Sequence, residues 1–176
     1  MTITRNSAIR MFQILGTLPL GNLDDITLEA MLENFDTFRK ASESFDAMRN
    51  ELFKRIYGDV ENMSEDDKSR LTDFFELVER IAKASKEDAA ELENVAKTTY
   101  AELYEKRVKE VKILESLLTK PIELDIIDVD GNAFCKGILR GKKDAAAIEL
   151  HSLFSFMFKK AEKAEAEYSE LDELLK

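Results

Sequence analysis

The sequence predicts a mainly α-helical protein, an elongated antiparallel helical bundle or coiled coil with one small β-hairpin. Three observations support this fold class. Apolar residues return every three or four positions over most of the chain, which is the period of an amphipathic helix. Residues 64–119 contain neither proline nor glycine. The stretch 120–141 instead starts with alternating apolar and polar side chains, the pattern of a half-buried strand.

We expect one folding unit, because 176 residues suit an ordinary single domain. Its four parts are an N-terminal helix pair (1–63), a long helical segment (64–119), the hairpin (120–141) and a C-terminal helix (142–176).

The N-terminal part contains two helices of different length. Thr4 can cap a short first helix that stops at Gly16. The second helix runs from Ile26 to Tyr57, and Gly58 ends it. A single amphipathic helix needs a partner to bury its apolar side, so we expect these helices to pack against their neighbours.

The third helix should begin at Ser64, whose hydroxyl precedes three acidic residues in the first turn. We expect the helices 26–57 and 66–84 to pack antiparallel. The predicted interface consists of Phe35, Phe38, Phe45, Phe74, Phe75 and Val78.

The long helical segment is expected to break near Ser85. A continuous helix from Leu71 to Leu118 would be about 70 Å long, more than a compact domain of this size can cover. Ser85 followed by Asp88 resembles a helix start. A seam of this length exceeds one small core and favours a partner surface.

The hairpin is predicted from two strands, 121–129 and 133–139, on either side of Asp130-Gly131. Asp-Gly favours a two-residue turn because both central positions need positive φ. A calcium loop starting at Asp128 was the alternative, but its glycine stands at the wrong position and Leu139 occupies the place of the bidentate glutamate. The turn therefore explains these residues better than an ion does.

We also expect the hairpin to act as an interaction edge, since two strands cannot shield their own apolar side chains. The candidate partner-binding residues are Ile122, Leu124, Ile126, Phe134 and Ile138. The alternative is that a last helix from Asp144 to Lys160 covers the hairpin through Ile148, Phe154 and Phe158.

Composition argues against several classes of function. The formal charge is −10, from 36 acidic and 26 basic residues, which disfavours direct nucleic-acid binding. A small basic cluster is formed by Lys136, Arg140, Lys142 and Lys143. The sequence has one histidine, His151, and one cysteine, Cys135, which argues against a catalytic triad and against a metal site with several such ligands. We expect no enzyme activity, catalytic residue, cofactor or metal.

Localisation follows from what the sequence lacks. The first residues do not form the apolar core of a signal peptide, and no apolar run reaches the ~20 residues of a membrane span. A lone cysteine suits a reducing compartment. We expect a soluble protein of the cytoplasm that does not enter a membrane.

The order of parts resembles an uncharacterised family of bacteriophage proteins, a domain of unknown function. Three stretches carry the resemblance: the opening from Asn6 to Ile9, the helix end from Glu51 to Gly58, and the passage from helix to strand at Leu117 to Leu124. The acidic insertion between Asp66 and Lys109 departs from that family. The resemblance implies a phage origin, with a place in the virion or in the host cytoplasm, and supplies no activity.

These observations predict a non-enzymatic helical protein that binds another protein. If it is encoded by a phage, its predicted role is in virion assembly or as a structural accessory protein. The partner is a different protein or a second copy in a homo-oligomer. The alternative is an acidic inhibitor of a host nucleic-acid-binding or defence protein, because an acidic surface can occupy a basic cleft.

Overall fold

The structure, a computed structural model, describes residues 1–140 and 145–158. The α-helices are α1 (Arg5–Leu15), α2 (Asp25–Tyr57), α3 (Glu65–Lys83), α4 (Lys86–Thr99), α5 (Ala101–Thr119), α6 (Gly131–Phe134) and α7 (Ala145–Phe154); the strands are β1 (Thr2–Thr4) and β2 (Pro121–Glu123). Short 3-10 turns occupy Leu20–Asn22, Val60–Asn62 and Ser155–Met157, and a π-helical turn, Cys135–Leu139, follows α6. None of the described helices combines the length and apolar character needed to cross a membrane.

The predicted fold class is confirmed: over the residues that the structure describes, the chain is mainly helical and carries one small antiparallel two-stranded sheet. Strand β2 pairs with β1. Beside the strands, the Met1 nitrogen donates to the Leu124 carbonyl at 2.7 Å, and the Leu124 N–H donates to the Met1 carbonyl at 2.8 Å. The β-branched run Thr2-Ile3-Thr4 is the signal for β1, which the sequence prediction overlooked.

The predicted hairpin partner of β2 is wrong, because 131–139 is helical instead of extended. Asp130 accepts hydrogen bonds from the backbone N–H groups of Asn132 and Ala133, at 2.8 and 3.1 Å, and so caps α6. Gly131 does not adopt the positive φ that a two-residue Asp-Gly turn requires. The same dipeptide that favours a turn has therefore started a helix.

The contacts divide the chain into two compact units. Among the described residues, the first unit comprises 1–3, 7–41, 122–140 and 145–158, and the second comprises 4–6 and 42–121. Helix α2 contributes to both. Cooperative folding of the whole chain as one unit stays a prediction.

The first unit has a core of apolar side chains from α1, α2, the segment after β2, and α6 to α7. Its fully or almost fully buried members include Leu15, Met31, Phe38, Val129, Phe134, Phe154 and Met157. Of the expected cover from the last helix, Phe154 is buried, whereas Ile148 is 64% exposed. Asp144 and Lys160, the expected ends of that helix, lie outside the described residues, as do Lys142 and Lys143 of the basic cluster.

The second unit is built on a helix hairpin. The Ser64 hydroxyl caps α3 by accepting from the Asp67 N–H at 3.1 Å, and Ser85 caps α4 through the Asp88 N–H at 3.3 Å. The expected break near Ser85 is therefore present. Phe74 and Tyr100 lie 5.8 Å apart between ring centroids, which shows that α4 returns antiparallel along α3.

A second break, at Tyr100, was not predicted. Tyr100 alone separates α4 from α5, and its backbone leaves the helical region at φ −122° and ψ 38°. No proline, glycine or capping side chain marks this position, so none of these usual sequence signals of a helix end is available.

The predicted six-residue interface between α2 and α3 is wrong. Phe35 and Phe38 pack in the core of the first unit, whereas Phe74 packs in the second with Leu77 and Ala96. Phe75 does contact α2, but through two aromatic rings nearer the helix end, Phe53 and Tyr57, at centroid distances of 5.8 and 5.4 Å. Phe45 is half-buried and belongs to neither core. Helix α3 buries its apolar side mainly against α4, because the chain turns back at Ser85.

Candidate protein-binding groove

The residues predicted to bind a partner lie on the core side of the first unit. Ile122, Leu124 and Ile126 alternate inward and pack, half-buried, against that core. Phe134 is fully buried, and Ile138 is 8% exposed. The alternation was interpreted correctly as one inward face. The structure covers this face with α1, α2 and α6 to α7, so these side chains stabilise the fold.

Several backbone groups of the extended segment after β2 are hydrogen-bonded within the first unit. The buried Asn34 side chain accepts from the Ile127 N–H at 2.8 Å and donates to the Ile127 carbonyl at 2.9 Å. The Asn34 side chain thus makes the hydrogen bonds to Ile127 that the backbone of a neighbouring strand would make. The Val129 N–H then donates to the Met157 carbonyl at 2.7 Å. A partner strand would have to displace these bonds.

A buried polar network holds α2 to α5 inside the second unit. Glu110 is 4% exposed. Its Oε2 accepts from the Tyr57 hydroxyl at 3.0 Å and from Arg107 Nη1 at 2.6 Å. Burial, and then the charge of Glu110, raises the pKa of Tyr57 well above its usual range. The hydroxyl therefore remains a donor at neutral pH, and the buried Glu110 side chain accepts from two donors through Oε2.

A polar pocket of about 260 Å³ lies beside this network. Its charged lining residues already interact with neighbours of their own: Lys106 pairs with Glu102 at 2.7 Å, and Asp67 accepts from Ser64. The signs are balanced, with Asp67 and Glu102 set against Arg70 and Lys106. Such an arrangement stabilises helix ends and leaves no excess charge for a ligand.

The second unit carries an apolar groove of about 420 Å³, which we call the α3–α5 groove. Its uncharged lining residues are Val78 and Ile81 from α3 with Tyr104, Val108 and Val111 from α5. Charged side chains complete the lining, namely Glu93, Arg107, Lys112 and Glu115. An apolar centre between two helices with charges around it is the arrangement that receives one face of an amphipathic helix.

The groove continues the core at one end and is open at the other. Val78, Ile81 and Tyr104 pack against the core of the second unit. Val108 is 38% exposed and belongs to neither apolar core. The fold therefore holds the α3 side of the groove in place and leaves the valines of α5 accessible.

Tyr104 is fixed at the α4 side of the groove. Its hydroxyl donates to Glu93, and the Lys97 ammonium lies 5.4 Å from the centre of its ring. Lys97 also pairs with Glu93 at 2.8 Å. The hydrogen bond to Glu93 raises the pKa of Tyr104, and the bonds from Lys97 and Tyr104 lower the pKa of Glu93. This wall is ordered before any partner arrives, which reduces the entropy cost of binding.

The residues considered for chemistry do not line this groove. His151 is exposed on α7, and its ring contacts Phe158 at 5.0 Å. Burial raises the pKa of Cys135, which disfavours the reactive thiolate. Within residues 1–140 and 145–158, no three His, Cys, Asp or Glu side chains cluster in a way that could hold a metal ion.

The sequence contains a signal for the groove in its long apolar seam, which predicts a partner surface but not its position. All five of the groove's uncharged residues belong to the apolar seam of residues 71–118. The seam was read as the inner side of a long helix that needs a partner surface. What periodicity could not show is which portion remains uncovered after the chain folds back on itself.

Comparison with known proteins adds no relative to this description: no family model matches the chain, and neither a curated protein nor a solved structure is found to be similar.

Proposed function

We propose that the chain is a non-enzymatic helical protein that binds a partner protein through the α3–α5 groove. The single observation that carries this proposal is the accessible Val108 in a groove whose apolar centre packs partly against the core. The occupant is an amphipathic helix that places aliphatic side chains between the two helices. It belongs either to another protein or to a second copy of the chain.

The phage origin and the virion assembly role implied by the family resemblance stay predictions. So does the alternative of an acidic inhibitor that occupies a basic cleft. The latter draws on the net charge of −10, whereas the groove itself carries charges of both signs. We therefore favour protein binding through the apolar groove over inhibition of a basic cleft.

The test compares two valine variants of the full chain. Val108→Glu puts a carboxylate into the groove, and Val60→Glu is the matched control, because Val60 is also 38% exposed and lies outside the groove in the same unit. Helical peptides are selected from a displayed library on the unaltered chain. Their affinities for both variants are then measured by fluorescence anisotropy.

We expect Val108→Glu to weaken the selected helices about tenfold or more, since burying an unpaired charge costs more than 1.4 kcal/mol. Val60→Glu should leave their affinity unchanged. Sedimentation equilibrium of the same samples identifies a second copy as the occupant if Val108→Glu alone dissociates an oligomer. The proposal would be refuted if the library yields no binding helix and the chain does not self-associate. Equal binding of the selected helices by both variants would also refute it.

A further inference from the structure

The first four turns of α2 carry an exposed face on the side of the helix opposite the core. The core side of α2 is formed by Thr27, Met31, Asn34 and Phe38, all buried. The opposite side, which we call the α2 acidic face, consists of Asp25, Glu29, Leu32, Glu33 and Asp36, with Leu28 at its edge toward the core. Their intervals of three and four residues form one stripe about 16 Å long.

The centre of this face is apolar, and the core of the first unit buries only part of it. Leu28 is half-buried and packs against the core of the first unit. Leu32 is 50% exposed. Ile26, on the flank one turn from Glu29, is 81% exposed. Single exposed apolar residues are ordinary, but here two lie within seven residues on the outer side of one helix.

The charge around these side chains has one sign. Residues 24–36 contain five carboxylates and no lysine, arginine or histidine. Asp24 accepts two hydrogen bonds from Thr27, and Asp36 is bound by Lys40 and Arg39; these bonds lower the pKa of both carboxyls, which are therefore ionised at neutral pH.

Two carboxylates of this face lack the pairing found for several other helical carboxylates. Cations lie four residues away in Glu51–Arg55, Glu79–Lys83 and Glu102–Lys106. Glu29 and Glu33, like Glu91 of α4, have no basic residue three or four positions away. Asp25, Glu29 and Glu33 repeat at four-residue intervals, an arrangement in which like charges destabilise a helix. The face carries a repulsion that a cationic occupant would relieve.

We propose that the α2 acidic face is a second docking surface, which binds a basic amphipathic helix of a partner protein. Leucine or similar side chains of that helix cover Leu28 and Leu32, and its lysines and arginines pair with Glu29 and Glu33. Charge selects this occupant: a nucleic acid or an anionic membrane surface would be repelled by the same carboxylates. The surface is distinct from the α3–α5 groove.

The probe is a synthetic peptide of about 15 residues, long enough to form a helix across the face. It has leucines at three- and four-residue spacing and lysines elsewhere, and it carries a fluorescent label. A scrambled peptide of the same composition lacks the apolar stripe. Binding to the full chain is measured by fluorescence anisotropy at low and at physiological salt.

Three sets of variants separate a docking surface from general attraction to an acidic protein. Glu29→Lys with Glu33→Lys reverses two charges on the face. Glu87→Lys with Glu91→Lys is the control, with the same spacing and the same charge change on exposed positions of α4. Leu32→Gln removes the apolar contact at constant charge, and Ile148→Gln, at a residue 64% exposed, controls for it.

We expect the reversal on the face to weaken the amphipathic peptide about tenfold or more, and the α4 reversal to weaken it by less than about twofold at physiological salt. Leu32→Gln should weaken it about fivefold, and Ile148→Gln should have no effect. The scrambled peptide should bind more weakly than the ordered one. Circular dichroism verifies that each variant keeps its helix content.

Equal losses in the two charge-reversed variants, or no effect of Leu32→Gln, would overturn the proposal in favour of nonspecific attraction. If the chain self-associates and only the variants of the α2 acidic face abolish this, the occupant is a second copy of the chain and the proposal is overturned. Val108→Glu must leave the peptide's affinity unchanged. The proposals for this docking surface and for the α3–α5 groove can therefore be refuted independently.

Discussion

The hydrogen bond between Tyr57 and Glu110 should contribute measurably to the stability of the second unit. Tyr57→Phe removes one hydroxyl and leaves the ring contacts with Phe53 and Phe75 in place. The acceptor is the Glu110 side chain, which is 4% exposed, and Tyr57 itself is 7% exposed. A hydrogen bond to a charged group in such surroundings is worth about 1.5–3 kcal/mol. Because Arg107 still satisfies Glu110, we expect a loss near the lower value, about 1.5 kcal/mol.

A matched control is available in the same unit. Tyr104→Phe removes the same kind of bond, from a phenol to the carboxylate of Glu93, at a half-exposed position where water can replace it. There the loss should stay below about 1 kcal/mol. The assay is urea denaturation followed by circular dichroism, with stability taken from the midpoint at constant slope.

A double-mutant cycle then isolates the bond from the packing. Glu110→Ala alone leaves the Tyr57 hydroxyl buried without its acceptor, and the double variant removes both groups. We expect a coupling free energy of about 1 kcal/mol or more between the two positions. A coupling near zero, or a loss for Tyr57→Phe no larger than that for Tyr104→Phe, would refute the reasoning.

Two further predictions concern stability at high pH and a close backbone approach. Since the pKa of Tyr57 is raised on folding, the folded chain keeps this proton to higher pH than the unfolded chain, and the free energy of unfolding should fall as pH rises above ~10. Tyr57→Phe should make that decline shallower in denaturation curves across this range; an unchanged decline would contradict the assignment. A Cβ on Gly137 would lie 2.7 Å from Leu23 Cδ2 and 2.9 Å from the Asn22 carbonyl oxygen. Gly137→Ala should therefore cost about 1–3 kcal/mol, whereas Gly21→Ala, with nothing within 4 Å, should change stability by less than about 0.5 kcal/mol in the same urea assay.

The helices with strong local signals were predictable from the sequence. Ser64 and Ser85 cap their helices through the residue three positions on, and Gly58 ends α2 at φ +98°. Each of these signals acts within one turn of helix, so the sequence contains the whole interaction. Helix existence and most helix ends follow from such local chemistry.

Interactions between distant residues were not predictable in the same way. β2 pairs with β1, more than a hundred residues earlier in the chain, while the adjacent segment 131–139 was the nearer candidate. Asp130 could serve a turn or a helix cap with the same side chain. Asn34 binds the backbone of Ile127 across 93 positions, and no local pattern distinguishes it from an exposed asparagine.

The candidate groove shows the same limit for function. Val78 and Val108 share one periodic seam and are equivalent by spacing, yet only Val78 packs against the core of the second unit. The difference arises because α4 folds back along α3 from Ser85, and Tyr100 then separates it from α5. The valines of α5 lie on the helix beyond that second break, where α4 no longer provides the cover it gives to α3. Two helix breaks, one with a sequence signal and one without, thus decide which part of an apolar seam becomes core and which part remains available to a partner.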